Sequence, residues 1–116
     1  MVRIYNAVLN TLRGLTYVKS EASARQEIIA IILAVPVAVP IAPGVGWYVA
    51  MVGSLILVLA VELLNTAIEK LADQVTREWD PEIGMVKDIG SAAVFCTLCL
   101  VGLVWAAALA VHVGVM

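Results

Sequence analysis

The chain has 116 residues, of which 63% are hydrophobic and 14% charged, with seven Lys and Arg, nine Asp and Glu and a single His. A mean hydropathy of +1.03 is too high for a small soluble domain, which buries only part of its surface and must keep the rest polar. The formal net charge of -2 comes without any basic stripe, so nothing here follows a phosphate backbone and no nucleic-acid partner is expected.

Taken in order, residues 1 to about 19 place Ile4, Val8, Leu12 and Leu15 at steps of three to four. That spacing predicts an amphipathic helix lying on a membrane surface, with Arg3 and Arg13 beside anionic headgroups or a nucleotide. Arg13, Lys19, Glu21, Arg25 and Glu27 interrupt the first 27 residues, and no small-residue cleavage site follows a short apolar core, so the N-terminus is not read as a secretory signal. From Ile28 to Val61 no residue is charged. A first span starts near Glu21 or Gln26 and covers about residues 26–40. The segment Pro40-Ile-Ala-Pro-Gly-Val-Gly46 ends it, because two prolines and two glycines so close together break a helix. Pro36 is expected to bend this span without cancelling it.

The second span, about 48–72, opens on Trp47-Tyr48, an aromatic pair suited to the membrane interface. From Tyr48 to Glu69 a helix rises about 33 Å, which puts Glu69 near the headgroups. Trp79-Asp80-Pro81 reads as a polar loop, and the third span runs from Met85 or Lys87 to His112, about 87–112. Arg3, Arg13, Lys19 and Arg25 precede the first apolar run, and Lys70, Arg77 and Lys87 lie between the runs. The connector 40–47 and the C-terminus carry no charge, so the cation bias predicts an interior N-terminus, an exterior short loop, an interior 70–87 loop and an exterior C-terminus. Cys96 and Cys99 share a helix face but have no second pair for zinc, so they are expected to be membrane-buried thiols. His112 is expected at an interface or terminus, not as a ligand. The fold class is thus all-α and integral to a membrane, with three spans and a surface helix, in one domain over 1–116.

The chemistry lies at the interior end. Glu62, Asn65, Glu69 and Asp73 stand at offsets of 0, 3, 7 and 11 on the second span, which keeps them in one stripe at 100° per residue. Glu62 lies roughly 10 Å deeper than Glu69. Ionisable groups at that depth are costly in lipid and point to function, and a stripe from lipid to water suits a reaction between a lipid and a soluble substrate. The alternative is a polar seam between packed helices. Glu21, Arg25, Gln26 and Glu27 form a second polar cluster, and Lys87 with Asp88 a third. Carboxylates from different helices can bind a hard divalent cation, and Mg²⁺ would then hold phosphate oxygens, with Lys87 as the balancing charge or as a helix-end anchor. No Walker or kinase glycine-loop motif is present.

The stretch Glu62-Leu-Leu-Asn-Thr-Ala-Ile-Glu69 with Asp73, the upstream Glu21-Ala-Ser-Ala-Arg-Gln-Glu27 and Lys87-Asp-Ile-Gly-Ser-Ala-Ala-Val94 together resemble the bacterial integral-membrane diacylglycerol kinases of the Gram-negative type. The resemblance covers nearly the whole chain. It implies a homotrimer of three-span subunits in the bacterial inner membrane, with sites shared between subunits and a cytoplasmic N-terminus. The activity implied is transfer of the ATP γ-phosphoryl group, with Mg²⁺, to the hydroxyl of diacylglycerol, giving phosphatidic acid.

By position, the resemblance makes Glu62 the base for the lipid hydroxyl and Glu21 and Glu69 the carboxylates that hold the divalent ions, with Asn65 placed to support this centre. Lys87 and Asp88, with Glu78, Trp79 and Asp80 of the loop, fall at the nucleotide. Arg3 falls near both substrates and Ser91 near the lipid. Three departures stand out: one residue fewer between Leu15 and Glu21, Asn10 where the pattern has a tyrosine near the nucleotide, and Trp79-Asp80 where it has Tyr-His. Undecaprenol kinases share the Glu-x-x-Asn-x-x-x-Glu core, so the lipid acceptor rests on the Lys87–Val94 motif. A non-enzymatic scaffold or transport subunit, with its acids in a helix seam or ion path, is the reading from another class.

Overall fold

The computed structural model describes residues 1–18 and 21–116, and these residues contain four helices and no strand. They are α1 (Val2–Val18), α2 (Ala22–Ile41), α3 (Val45–Val75) and α4 (Pro81–His112). The expectation that the first helix reaches Lys19 falls outside the described residues. Three helices, Ala24–Ile41 within α2 together with α3 and α4, are long and apolar enough to cross a membrane, which fits a multi-pass membrane protein. In lipid the backbone has no water to bond, so an apolar run of this length closes its hydrogen bonds internally as a helix.

The breaks fall where the backbone demands them. Helix α2 contains both Pro36 and Pro40 and ends when Ala42 turns extended, its N–H still donating to the Ala38 carbonyl. Pro43 cannot continue the helix, and Gly44, extended at φ -170°, starts α3. Helix α3 thereby begins three residues ahead of Tyr48 and runs past the expected 72. Its 31 residues give about 46 Å at 1.5 Å each, longer than a hydrocarbon core of about 30 Å. Helix α4 starts earlier than Met85 or Lys87. Asp80 is its N-cap, accepting from the N–H groups of Glu82 (2.9 Å) and Ile83 (3.2 Å), and Pro81 takes the first helical position. An acceptor followed by a residue that lacks an N–H suits a helix start, where the first donors have no intrahelical partner.

Helix α3 is the centre, packing closely against α4 and α2, while α2 and α4 barely meet and α1 touches the others sparsely. The interior is thin: Met51 and Val58 are the only large side chains fully buried among the described residues, and the other buried apolar residues are Ala24, Ala34, Ala38, Ala72 and Ala108. At the end away from the acids, Ala38, Met51 and Ala108 form a cluster with Trp47, Tyr48, Val104 and Trp105 against it. Two polar tips are satisfied there. The Trp105 Nε1–H donates to the Met51 carbonyl at 3.1 Å, and the Tyr48 hydroxyl donates to the Val35 carbonyl at 3.1 Å. Ser54 also donates to the Met51 carbonyl, at 2.8 Å. These bonds pin the three long helices at one end, so the polar groups at the other end keep a fixed register.

Candidate active site

The expected stripe is present on α3, and its members differ in surroundings. Glu62 and Glu69 are half-buried, Asn65 is 7% exposed, and Asp73 is exposed. Asn65 and Glu69 are one helical turn apart, and the Asn65 Nδ2 donates to Glu69 Oε1 at 3.2 Å. The Asn65 Oδ1 is buried without a hydrogen-bond partner. Beside it lies Gly90 of α4, where an added Cβ would collide with that oxygen. Thr66 is buried, and its hydroxyl donates to the Glu62 carbonyl at 2.9 Å.

Acids from two helices meet here. The charge of Glu27 on α2 and that of Glu62 repel one another, as do those of Glu62 and Glu69. Glu21 stands at the N-cap of α2 without a capping bond from its side chain. Its carboxylate is instead paired with Lys70 of α3, Nζ to Oε1 at 3.0 Å. Lys87 reaches from α4 to Asp73 at 2.8 Å. The stripe therefore lies along the seam where α3 meets α4, with α2 closing one side.

The remaining expected residues are more scattered. Asp88 and Ser91 are exposed on α4, and Arg3 and Asn10 are exposed on α1. Glu78, Trp79 and Asp80 are exposed at the α3–α4 turn, where they share with Lys87 the lining of a cavity of about 300 Å³. A larger, mostly apolar cavity of about 570 Å³ separates α1 from α3, lined in part by Leu15, Leu63, Thr66 and Ala67, with Lys70 at its edge. Cys96 and Cys99 face outward from α4, and His112 is exposed in the last turn of that helix. Two participants could not be read from the sequence: Lys70 as the partner of Glu21, and Gly90 as the wall behind Asn65.

A sequence profile described as prokaryotic diacylglycerol kinase matches residues 10–109. The chain belongs to this family of kinases. Among its relatives in the family, the diacylglycerol kinase of Haemophilus influenzae is 34% identical over 106 residues, 90% of each chain. That of Pseudomonas aeruginosa is 38% identical over 105 residues, 90% of this chain and 85% of the relative. That of Escherichia coli K12 is 37% identical over 95 residues, 82% of this chain and 78% of the relative. The match spans the α3 stripe and the start of α4, so the polar seam described above lies within the shared part.

The donors at this seam are of the kind a divalent cation takes. They are carboxylates, the ligands a hard cation prefers. Among the described residues no three carboxylate, His or Cys side chains converge closely enough to hold a metal unaided. Mg²⁺ is ordinarily held by one or two carboxylates plus substrate phosphates.

Proposed function

We propose that this chain transfers the γ-phosphoryl group of ATP to the hydroxyl of diacylglycerol, forming phosphatidic acid and ADP at the cytoplasmic face of the bacterial inner membrane. The observation that carries the reading is the seam of Glu62, Asn65 and Glu69, in a chain whose family is prokaryotic diacylglycerol kinase. Lipid transfer needs a group that meets the hydroxyl at membrane depth and others that meet phosphate nearer water. The half-buried Glu62 and the outer end of α3 stand in that order.

In this reading Glu62 receives the proton of the lipid hydroxyl as its oxygen bonds to the γ-phosphorus and the bond from that phosphorus to the bridging oxygen of ADP breaks. Asn65 fixes the Glu69 carboxylate through its 3.2 Å bond. Glu69 and Glu21 would hold the divalent cation, which when bound supplies neutralisation of the phosphate oxygens. Lys87, Asp88, Glu78, Trp79 and Asp80 receive the nucleotide, supported by the cavity that four of them line. Arg3 and Asn10 approach it from α1, and Ser91 meets the lipid. The exposed Ile4, Val8 and Leu12 support an α1 that lies on the membrane surface. The functional unit is a homotrimer with sites completed between subunits, supported by how little of one subunit is buried.

The test is a bilayer-reconstituted assay with labelled ATP, Mg²⁺ and either diacylglycerol or undecaprenol, read by thin-layer chromatography. Labelled phosphatidic acid is expected. Label on undecaprenol alone moves the acceptor to the polyprenol class, and no label on either lipid removes the kinase reading in favour of a scaffold or transport subunit.

A further inference from the structure

The eight glycines of the chain are not equivalent. Gly53 and Gly102 sit inside helices with open space where a side chain would go, whereas a Cβ on Gly90 would strike the Asn65 carboxamide oxygen. Gly90 is buried in α4. Asn65 is itself more than nine-tenths buried, and its Oδ1 has no donor. Buried polar atoms without partners are rare in folded proteins, and each one calls for a reason. Here the other half of the same group supplies it: Nδ2 donates to Glu69. A carboxylate accepts and cannot donate, so it takes the amide nitrogen and leaves the oxygen turned toward α4. The oxygen fits there only because residue 90 has no side chain.

We infer that Gly90 is a positioning residue: its missing side chain forms the recess that seats the Asn65 carboxamide, and through Asn65 it sets the Glu69 carboxylate. A methyl group at 90 pushes Asn65 away from α4 and breaks the 3.2 Å bond to Glu69. The Glu69 side chain is then free to rotate. The consequence for catalysis rests on the function proposed above, while the seat itself is independent of that function.

The experiment uses the full chain in detergent micelles or bicelles. In Gly90→Ala, the side-chain amide resonance of Asn65, assigned by its loss in Asn65→Ala, shifts, and in Gly102→Ala it does not. Binding of Mn²⁺ with a non-hydrolysable ATP analogue, read by electron paramagnetic resonance, weakens in Gly90→Ala by roughly the 10–100-fold typical of a partner that orients a metal ligand. Turnover falls in the same range while KM for diacylglycerol is unchanged. Thermal stability closes a cycle: Gly90→Ala destabilises the wild type but not Asn65→Ala, where the methyl group occupies vacated space.

An unshifted resonance or an equal loss of stability in both backgrounds overturns the inference and leaves Gly90 a helix-packing residue, whereas an unchanged Mn²⁺ affinity beside a shifted resonance removes Glu69 as a metal ligand and leaves the seat standing. If Gly90→Ala alone does not insert, the double variant decides: it folds as well as Asn65→Ala if the recess serves Asn65, and worse if it does not. Full activity in both Asn65→Ala and Glu69→Gln overturns the proposed roles of Asn65 and Glu69 in the reaction instead, with the seat still testable by the resonance and the stability cycle.

Discussion

The ion pair between Lys70 and Glu21 makes a quantitative demand. Its side chains are 60% and 43% exposed at a separation of 3.0 Å. Exposed pairs of this kind are worth about 0.2–1 kcal/mol, because water screens them and two long side chains must be held still. In the proposed site the same Glu21 carboxylate is a cation ligand, so binding must displace the Lys70 ammonium. The displacement costs at most about 1 kcal/mol, which is up to about five-fold in affinity. Lys70→Met keeps the apolar stem and removes the charge. It should therefore tighten Mn²⁺ binding in the presence of a non-hydrolysable ATP analogue by two- to five-fold, within the range set by that energy, while Lys70→Arg leaves it unchanged. The gain should fade as salt approaches 1 M, where the screening length is about 3 Å. Titration by electron paramagnetic resonance at low and high salt measures both. Unchanged or weaker binding in Lys70→Met refutes the competition, and weaker binding in particular means that the ammonium serves the nucleotide phosphates.

Three further outcomes are expected. Glu62→Gln should lower phosphoryl transfer by roughly 10²–10⁴-fold with Mg²⁺-ATP binding near normal, whereas Glu69→Gln should weaken that binding in calorimetry; normal turnover in Glu62→Gln removes the base. Cysteines placed at Gly44 and Arg77, on a background without Cys96 and Cys99, should react from opposite sides of the membrane, and labelling from one side contradicts three spans. Mixing Glu21 and Glu62 mutants should restore some activity if sites are completed between subunits, and mixed trimers that stay inactive argue against sharing.

The apolar helices were legible because lipid leaves the backbone few choices: the charge-free stretch from Ile28 to Val61, broken only at Pro40–Gly46, becomes two helices separated at Pro43 and Gly44. That Asn65 and Glu69 share a stripe was legible as well, since residues four apart on a helix are neighbours, while the bond between them came only with the structure. Helix starts were less so. Asp80-Pro81-Glu82 carries the features of an N-terminus, yet its turn-forming residues equally describe a loop, and only the bonds from Glu82 and Ile83 to Asp80 separate the two. Pairings between helices were not readable at all. Whether Lys87 meets Asp73, or Gly90 meets Asn65, depends on how far α4 slides along α3, which a polar turn of a few residues does not specify. The same holds for Lys70 and Glu21, joined across most of α2 and α3.

The indole of Trp105, bonded to the Met51 carbonyl, has a consequence for how this protein comes apart. Helices in lipid have nowhere to send their backbone hydrogen bonds, so α2, α3 and α4 separate before they uncoil. Heating in bicelles should then leave far-UV circular dichroism nearly intact while the near-UV indole signal collapses. A melting curve followed at the helix band would overstate the stability of the assembled bundle, and the tryptophan band is the one that follows the loss of its packing.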